Sequence, residues 1–435
     1  MTPGDLIDLD VTDVAHGGVF VGRHDGRVVF VPDAIPGERV RVRLTDTAKS
    51  SFWRGEVLEV LDASPHRRPH IWRRADVAVA PELRPGGADF GHIDLAEQRR
   101  LKLHVLRDAL QRFGGVDVEV GIRPASGEAA EGDETADGTR WRTRVSLHVD
   151  ADGNVGPYAA RSHRVVPVDD LPLATADVER AALTATADKA GRIDLVQPAD
   201  GRVRLIPRPE RPRGAKPPKS DPRKDPARDV VIETVDGRDF RVDAGGFWQV
   251  HRLAAHSLTS LVSGVLQSQG AAGTAVDPEA WHLDLYGGVG LFAATLGGLG
   301  GASTRVTSVE SDPRATEHAG ENLAEWVGAR AETGRVDRWI AQLAASASAS
   351  ERDRLSRGVV LLDPPRAGAG KTVVEGIAAL SPQTVVYVAC DPVALARDIG
   401  TFRRSGYELD TVAALDLFPN SHHVEAVATL RRAHG

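Results

Sequence analysis

The sequence predicts an α/β protein in which an OB-like β-barrel and a small, mostly β central domain precede a Rossmann-like domain. Short β-rich runs fill residues 1–62, strands and turns dominate the middle, and apolar strands alternate with helices from Leu253 onward. Alternating strands and helices indicate a parallel sheet, whereas short strands with little helix indicate a barrel. For 435 residues, at about 150 residues per domain, we place the domains at 1–62, 63–244 and 245–435.

The composition limits the class of protein. Hydrophobic residues make up 41% of the chain and charged residues 26%, which excludes collagen-like and wholly disordered chains. No apolar run approaches the ~20 residues of a membrane span, and the first residues lack the pattern of a signal peptide. We therefore expect a cytoplasmic protein with no membrane partner. The one cysteine, Cys390, excludes an intrachain disulfide and an all-cysteine metal site.

Charge is distributed unevenly along the chain. The net charge is -7, which by itself argues weakly against a nucleic-acid partner. Residues 202–228, however, contain ten Lys or Arg and three acidic residues, a local charge of +7. This segment is also rich in proline, which excludes a helix or a central strand and predicts a flexible basic loop. A solvated linker and an electrostatic tether for phosphates both remain open.

The first two domains are predicted from short-range signals. Barrel strands are predicted at Val19–Val21, Val28–Val31, Val40–Leu44 and Gly55–Leu61, with a hairpin turn at residues 24–27. In the central domain, Asp94 followed by Glu97 predicts the start of a helix over 94–114, and we expect this helix to pack on the third domain. A second helix is predicted at about Thr175–Lys189.

Four strands alternate with helices in the third domain. They are predicted at His282–Tyr286, Arg305–Val309, Val359–Leu362 and Thr384–Ala389. No helix separates the last two runs, 407–417 and 423–430, so these should form an antiparallel pair. A parallel sheet closed by such a hairpin is the arrangement of class I methyltransferases, which bind ligands at the carboxyl ends of the strands.

A glycine-rich turn follows the first of these strands. In the run from Asp284 to Phe292 an apolar strand ends, glycines turn the chain and a helix begins. Glycine is needed where the backbone bends sharply and approaches a ligand. The next strand ends at Glu310, where a carboxylate can accept hydrogen bonds from ribose hydroxyls. A nicotinamide enzyme or a purely structural turn would also fit this motif.

Two further motifs end the following strands. Asp363 precedes Pro364 and Pro365, which stiffen the chain and hold the carboxyl group in place; the alternative is a proline-stopped strand with an aspartate cap. Cys390 precedes Asp391 and Pro392, which resemble the N-cap and first residue of a helix. A helix amino terminus favours the thiolate, and Asp391 opposes this effect. Cys390 is therefore a candidate nucleophile, the alternative being a small buried hydrophobic residue.

Two motifs flank this region. Residues 418–425 fall in the turn of the closing hairpin and bring Glu425 to the mouth of the sheet; a solvated hairpin glutamate is the alternative. Its adjacent histidines lack the spacing of metal ligands, so we interpret them as positioning groups. Phe247-Trp248-Gln249-Val250 stands just before the alternating helices and strands that start at Leu253. By itself this motif indicates an aromatic pair at the edge of a core more strongly than a binding role.

Together these motifs resemble the RNA uracil-5-methyltransferase family, which makes 5-methyluridine in transfer and ribosomal RNA. The resemblance covers nearly the whole chain, and the five motifs stand in the family's order. Residues 1–62 resemble its TRAM-type RNA-binding barrel, with Gly37-Glu38 after Val31-Pro32. Residues 86–93 resemble the segment through which many members bind an iron-sulfur cluster.

The resemblance implies the residues of the site. Cys390 and Glu425 match the nucleophile and the general base. The positions that match cofactor contacts are Gln249, Tyr286, Gly288, Gly290, Leu291, Glu310 and Asp363. The positions assigned to the substrate are Asp363, Phe247, Arg366 and His423. The implied cofactor is S-adenosyl-L-methionine, with no metal, and the implied partner is transfer RNA or 23S ribosomal RNA. We expect a monomer.

This chain departs from the family at the cluster. Pro85 and Ala88 stand near two of the four cysteine positions and Leu171 near a third, and with a single cysteine in the chain no iron-sulfur cluster is expected. Gly287 replaces a cysteine common in the glycine loop. Asp391 stands where asparagine is usual, and residues 202–228 look like an insertion.

The resemblance also implies a mechanism. The Cys390 thiolate adds to C6 of a uracil that has left its stack, C5 is methylated, and Glu425 removes the C5 proton before the thiol is eliminated. Asp363 would orient the ring, with stacking by Phe247. Two alternatives remain: a methyltransferase of exocyclic amines, which needs no cysteine, and a non-catalytic RNA-binding protein that retains the fold.

Overall fold

The structure is a computed structural model, and it describes residues 1–127, 134–210, 224–269 and 276–433. About half of the predicted basic loop, residues 211–223, lies outside the described residues. Within them, none of the helices is both long enough and apolar enough to cross a bilayer.

The amino-terminal part is a closed five-stranded barrel, as predicted. Its strands are β1 (Leu6–Ala15), β2 (Val19–His24), β3 (Arg27–Val31), β4 (Arg39–Asp46) and β5 (Phe52–Asp62), in the order β1-β2-β3-β5-β4. The predicted set of strands omits β1, although Ile7, Leu9 and Val11 alternate with exposed residues and point into the barrel core. This alternation with a period of two is typical of a strand with one buried face.

The central part contains two small antiparallel sheets. Its elements are α1 (Leu95–Ala109), β6 (Gly121–Pro124), β7 (Arg144–Val149), β8 (Val155–Gly156), α2 (Ala176–Leu183), β9 (Gly191–Val196), β10 (Arg204–Pro209), β11 (Val230–Val235) and β12 (Arg238–Asp243). Strands β10-β9-β7-β8 form one sheet and β11-β12 the other.

The structure tests three of the sequence predictions in this part of the chain. The Asp94 side chain accepts a hydrogen bond from the Glu97 amide at 2.9 Å, so the predicted cap of α1 is confirmed. Helix α2 is shorter than its predicted range, because the Thr184 hydroxyl donates to carbonyls of the last turn and competes with the helix. The prediction of a loop is wrong for residues 204–209, which form the edge strand β10, where proline is tolerated.

The carboxyl-terminal part is a doubly wound sheet. Its elements are α3 (Ala254–Gln269), β13 (Trp281–Leu285), α4 (Leu291–Gly300), β14 (Arg305–Glu310), α5 (Pro313–Asn322), β15 (Arg330–Thr333), α6 (Val336–Ser346), α7 (Ala349–Ser356), β16 (Val359–Leu362), α8 (Gly370–Leu380), β17 (Thr384–Ala389), α9 (Pro392–Arg404), β18 (Tyr407–Asp416) and β19 (Glu425–Arg432). The strand order is β15-β14-β13-β16-β17-β19-β18-β6, and β19 is antiparallel to both neighbours. This confirms the class I methyltransferase fold.

Strand β6 belongs to this large sheet although it precedes the central sheets in the chain. It pairs in parallel with β18, from Gly121 opposite Ala413 to Pro124 opposite Asp416. Helix α1 and the turn that follows it pack against α9. The stretch from α1 to β6 is therefore attached to the carboxyl-terminal sheet, whereas our proposed boundary assigns it to residues 63–244.

Candidate active site

The carboxyl ends of β13, β14, β16 and β17 and the start of β19 open into one groove of about 1180 Å³. Ten of the residues singled out in the sequence line it: Phe247, Gln249, Tyr286, Gly288, Glu310, Asp363, Arg366, Cys390, His423 and Glu425. Two others, Gly290 and Leu291, do not. Leu291 is buried at the start of α4, so only its backbone could serve a ligand.

The turn after β13 is built from left-handed backbone. Tyr286, Gly288 and Gly290 have φ angles of 63°, 55° and 91°. This conformation costs little for glycine but is unusual for tyrosine. The Gly290 amide donates to the Gly287 carbonyl at 2.8 Å and closes the turn. The backbone is thereby held close to the groove, as a binding turn for a nucleotide-like ligand requires.

Two carboxyl groups hold this turn from opposite sides. Buried Asp284 accepts hydrogen bonds from the Ala293 amide and the Ser308 hydroxyl, both at 3.1 Å, and burial raises its pKa to about 7. Glu310 accepts from the amides of Gly288 at 3.2 Å and Asp312 at 2.8 Å. Glu310 thus links the end of β14 to the turn after β13 at the rim of the groove.

The loop that carries Asp363 is fixed by a buried carboxylate on α9. Asp398 accepts from the Ala369 amide at 2.8 Å and from the Tyr387 hydroxyl at 2.7 Å. The Asp363 carboxyl group accepts no hydrogen bond from the described residues. Burial and the nearby Asp284 raise its pKa to about 7. A rigid loop therefore presents a carboxyl group that is still free to bind a ligand.

Cys390 and Glu425 lie side by side at the end of the sheet. In the pairing of β17 with β19, Ala389 stands opposite Ala426, so the next residues outward are Cys390 and Glu425. The pKa of Glu425 is raised well above its ordinary 4.5, mainly by burial and secondarily by Asp363. Side chains from two strands that are distant in sequence are thus brought together as predicted.

The local environment keeps the sulfur protonated. Burial, and then the charges of Glu425 and Asp363, raise the pKa of Cys390 from 9.0 to about 12, against a smaller opposing effect of Arg366. Asp391 is the N-cap of α9, as predicted, and accepts from the Ala394 amide at 2.8 Å. The thiolate-favouring effect expected from this helix terminus is outweighed by burial and by the neighbouring acids.

Residues of the central part, including one from α1, anchor the turn that precedes Glu425. Asn420, at φ 67°, accepts from Arg68 at 2.5 Å and Gln98 at 3.1 Å and donates to the Gly138 carbonyl at 2.7 Å. Asp89 lies 2.5 Å from Nδ1 of His422. These contacts fix the turn from residues well outside the carboxyl-terminal sheet.

A buried ion pair completes this anchor. Lys102 of α1 is 1% exposed, and its Nζ donates to Asp416 at 2.5 Å and to the Phe418 carbonyl at 2.9 Å. Arg99 also donates to Asp416, at 3.1 Å. Charged groups are almost never fully buried unless they are paired, so this pair ties α1 to the end of β18.

We expect Lys102→Met to destabilise the protein by about 3 kcal/mol, because it leaves the buried Asp416 charge with one cation instead of two. Urea unfolding followed by circular dichroism measures the change. Lys371→Met is the matched control, since Lys371 is exposed and among the described residues pairs only with Glu375, at 3.7 Å. Equal stability of the two variants would contradict the anchoring role of Lys102.

Three of the four residues assigned to the substrate, Phe247, Arg366 and His423, line the groove with exposed or half-buried side chains. The Phe247 side chain is 74% exposed. Arg366 lies 3.1 Å from Nε2 of His423, and burial together with the charges of His422 and Arg366 lowers the pKa of His423 to about 3. A neutral imidazole at His423 can therefore accept a hydrogen bond from Arg366.

Apolar packing occupies the region that resembles the cluster-binding segment. Ala88 and Leu171 are buried in a hydrophobic cluster with Trp72 and Trp141. Pro85 forms an isolated bridge with Ala159. Side chains of a small core thus hold this segment together.

The sequence interpretation missed several residues that shape the site. Lys102 falls on the buried face of α1 between Gln98 and Leu106, and a charge at such a position signals a buried partner. Asp398 and Asp89 gave no comparable signal. His16 lies in the barrel turn between β1 and β2. Its Nε2 is 2.8 Å from Oδ2 of Asp391, so this contact joins the barrel to the residue that follows Cys390.

Comparison with protein-family models and known proteins agrees with this arrangement. A TRAM domain model matches residues 2–58, and the model of tRNA (Uracil-5-)-methyltransferase matches residues 350–433. A Streptomyces avermitilis protein described as an uncharacterized RNA methyltransferase is 38% identical over 453 residues, covering 99% of each chain. A Bifidobacterium longum protein with the same description is 37% identical and covers 98% of this chain and 96% of its own.

Among solved structures, the chain is similar to the Pyrococcus abyssi tRNA (uracil-54, C5)-methyltransferase in complex with S-adenosyl-L-homocysteine. The TM-score is 0.65 at 21% identity, and the match covers 98% of this chain and 100% of the other. At this identity the likeness shows a shared fold over nearly the whole chain.

Proposed function

The chain belongs to the RNA uracil-5-methyltransferase family, and from this premise we propose that it methylates C5 of a uridine in transfer RNA or 23S ribosomal RNA. The observation that carries the proposal is the grouping of Cys390, Glu425 and Asp363 in one groove with the glycine turn. A nucleophile, a base and a group that can orient the ring are the side chains that C5 methylation needs.

The groove fits S-adenosyl-L-methionine, the cofactor of this family, which supplies an electrophilic methyl group when it is bound. Glu310 is placed at the strand end for ribose hydroxyls, and Tyr286 and Gly288 line the same wall. The pKa values of Asp363, Glu425 and Cys390 are all raised. Such a cluster of acids favours a ligand with a positive centre, which a sulfonium provides.

The protein's own residues then perform the chemistry on the base. The Cys390 thiol loses its proton to solvent, and the thiolate forms a bond to C6. The electrons of the C5–C6 double bond move toward the ring carbonyl, which gives an enolate and makes C5 nucleophilic. After C5 has taken the methyl group, Glu425 accepts the C5 proton, and the electrons of that C–H bond re-form the C5–C6 double bond as the sulfur leaves. Asp363 orients the ring, and its raised pKa of about 7 suits a group that can both donate and accept near neutral pH.

The raised thiol pKa makes a specific prediction for alkylation. Iodoacetamide reacts with the thiolate, so at pH 8 we expect Cys390 to react about a thousandfold more slowly than an ordinary cysteine thiol, because each unit of pKa removes a factor of ten in thiolate. The rate should keep rising with pH above 9. Intact-mass measurement is unambiguous because the chain contains one cysteine.

Cofactor binding should change this rate in a charge-dependent way. S-adenosyl-L-methionine carries a sulfonium, which lowers the pKa of a nearby thiol, whereas S-adenosyl-L-homocysteine has the same shape but an uncharged sulfur. We expect faster alkylation with the first than with the second. A midpoint of the alkylation profile at or below pH 9 would contradict the assigned environment of Cys390.

The function itself is tested by product analysis. Purified protein is incubated with S-adenosyl-L-methionine and with unmodified transfer RNA or 23S ribosomal RNA, and the nucleosides are separated by mass spectrometry. The expected product is 5-methyluridine in one of these RNAs. Methylation of an exocyclic amine instead would replace the proposal. Comparing total RNA from cells with and without the gene then identifies the uridine.

A further inference from the structure

Two arginines on the groove wall, Arg142 and Arg366, have no carboxylate partner among the described residues. Two of the other groove arginines do: Arg208 lies 3.4 Å from Asp194 and Arg314 lies 2.8 Å from Asp243. Arg142 lies outside the sequence motifs, so those motifs predict no role for it.

The Arg142 side chain is held in one orientation. Its Nε donates to the Arg144 carbonyl at 2.9 Å, and its guanidinium carbon lies 5.7 Å from the centroid of the Trp141 ring. The two terminal nitrogens form no hydrogen bond with the described residues. The side chain is partly buried, and a buried cation without a counter-charge has lost hydration that nothing replaces.

Arg366 lies near both Arg142 and the reacting groups. Burial, and then the charge of Arg366, lower the pKa of Arg142, so the two cations are close enough to repel each other. The charge of Arg366 also opposes the pKa increases of Cys390 and Glu425. Arg366 is exposed, and its hydrogen-bond partner among the described side chains is His423.

The groove leaves space for a chain at this point. Gly87 lines both the groove and a neighbouring cavity of about 160 Å³, and Arg142 lines both as well. No atom lies within 4 Å of the position a Gly87 side chain would take. Open space therefore adjoins Gly87, which lines the same two cavities as Arg142.

We infer that Arg142 and Arg366 together form a binding site for a backbone phosphate of the RNA beside the uridine that enters the groove. An anion between the two guanidiniums removes their mutual repulsion and supplies the missing counter-charge. The planar nitrogen fork suits phosphate oxygens. The identification of the anion as an RNA phosphate rests on the proposed function.

The salt dependence of RNA binding tests this site. Octauridylate carrying a fluorescent label is titrated with the protein at several salt concentrations, and anisotropy gives Kd. For Arg142→Gln we expect about tenfold weaker binding, and a plot of log Kd against log salt whose slope is smaller by about 0.7, the value for one lost phosphate contact on a single strand. We expect Arg366→Gln to weaken binding and to reduce the slope by similar amounts.

Matched controls separate this site from general charge and from the cofactor. Arg180→Gln removes a charge from an exposed position on α2, where the carboxylate partner of Arg180 in the described part of the chain is Asp177, at 2.7 Å. This variant should leave Kd and the slope unchanged. Binding of S-adenosyl-L-homocysteine, measured by calorimetry, shows that each variant is folded. An unchanged slope for Arg142→Gln would overturn the inference. Loss of S-adenosyl-L-homocysteine binding with intact RNA binding would also overturn it, because Arg142 would then bind the carboxylate of the cofactor.

This experiment does not depend on methylation. If wild-type protein makes no 5-methyluridine but the Arg142→Gln slope changes as expected, the phosphate site stands and the proposed reaction fails. If 5-methyluridine forms and the slope is unchanged, the reaction stands and the phosphate site fails.

Discussion

Cys390→Ala should lower RNA methylation at least about 10⁴-fold, the scale of effect seen when a catalytic nucleophile is removed. The reason is chemical: without a bond from sulfur to C6, C5 of uracil is too weak a nucleophile to accept the methyl group. The rate is measured by transfer of labelled methyl into RNA. Binding of S-adenosyl-L-homocysteine should persist, because Cys390 follows β17, which β16 separates from β13 and its glycine turn.

A substrate analogue gives this prediction a second readout. In RNA that contains 5-fluorouridine, fluorine occupies the position of the C5 proton and cannot be removed as a proton, so the sulfur cannot be eliminated. The wild-type protein should therefore form an RNA adduct that resists denaturation, and Cys390→Ala should form none. Methylation of uridine C5 by the alanine variant at a rate near that of wild type would refute the covalent mechanism.

Glu425→Gln should separate methyl transfer from product release. The amide cannot accept the C5 proton, so we expect turnover to fall by about 10²- to 10⁴-fold, the range for a general base. Ordinary RNA carrying a labelled methyl group should then remain bound to Cys390 after denaturation. The readout is a band that contains both protein and labelled methyl on a denaturing gel.

The conservative variant provides the control for this role. Glu425→Asp keeps a carboxylate on a shorter side chain and should retain part of the turnover without accumulating the adduct. Because the Glu425 pKa is raised well above 4.5 and the base acts when ionised, wild-type turnover should increase with pH as this group loses its proton. If Glu425→Gln turns over within tenfold of wild type, another group removes the proton.

Much of this site could be predicted because it is encoded locally. Strands β16 and β17 have the predicted bounds, since both are short, fully buried apolar runs that end at the groups of interest. Asp363 and Cys390 follow these strands directly, and parallel strands bring their carboxyl ends to one edge. The convergence of the two residues therefore follows from topology alone.

The remaining features depend on contacts between distant segments. The high pKa of Cys390 results from burial and from acids on other strands, which a neighbouring helix terminus does not reveal. The anchor of the closing turn through Lys102 and Asn420 joins segments far apart in the chain. Arg142 belongs to none of the sequence motifs. Its distinguishing feature is the lack of a carboxylate partner among the described residues, which a sequence pattern does not reveal.

Pairing of β6 with β18 limits how the enzyme can be divided or recombined. A fragment trimmed to residues 245–435 would lose β6 and leave the outer edge of β18 with unpaired backbone groups, which invite association between copies. It would also strip α1 from α9 and leave Asp416 without Lys102. Swapping the barrel between relatives therefore requires that residues 95–124 stay with the sheet they complete.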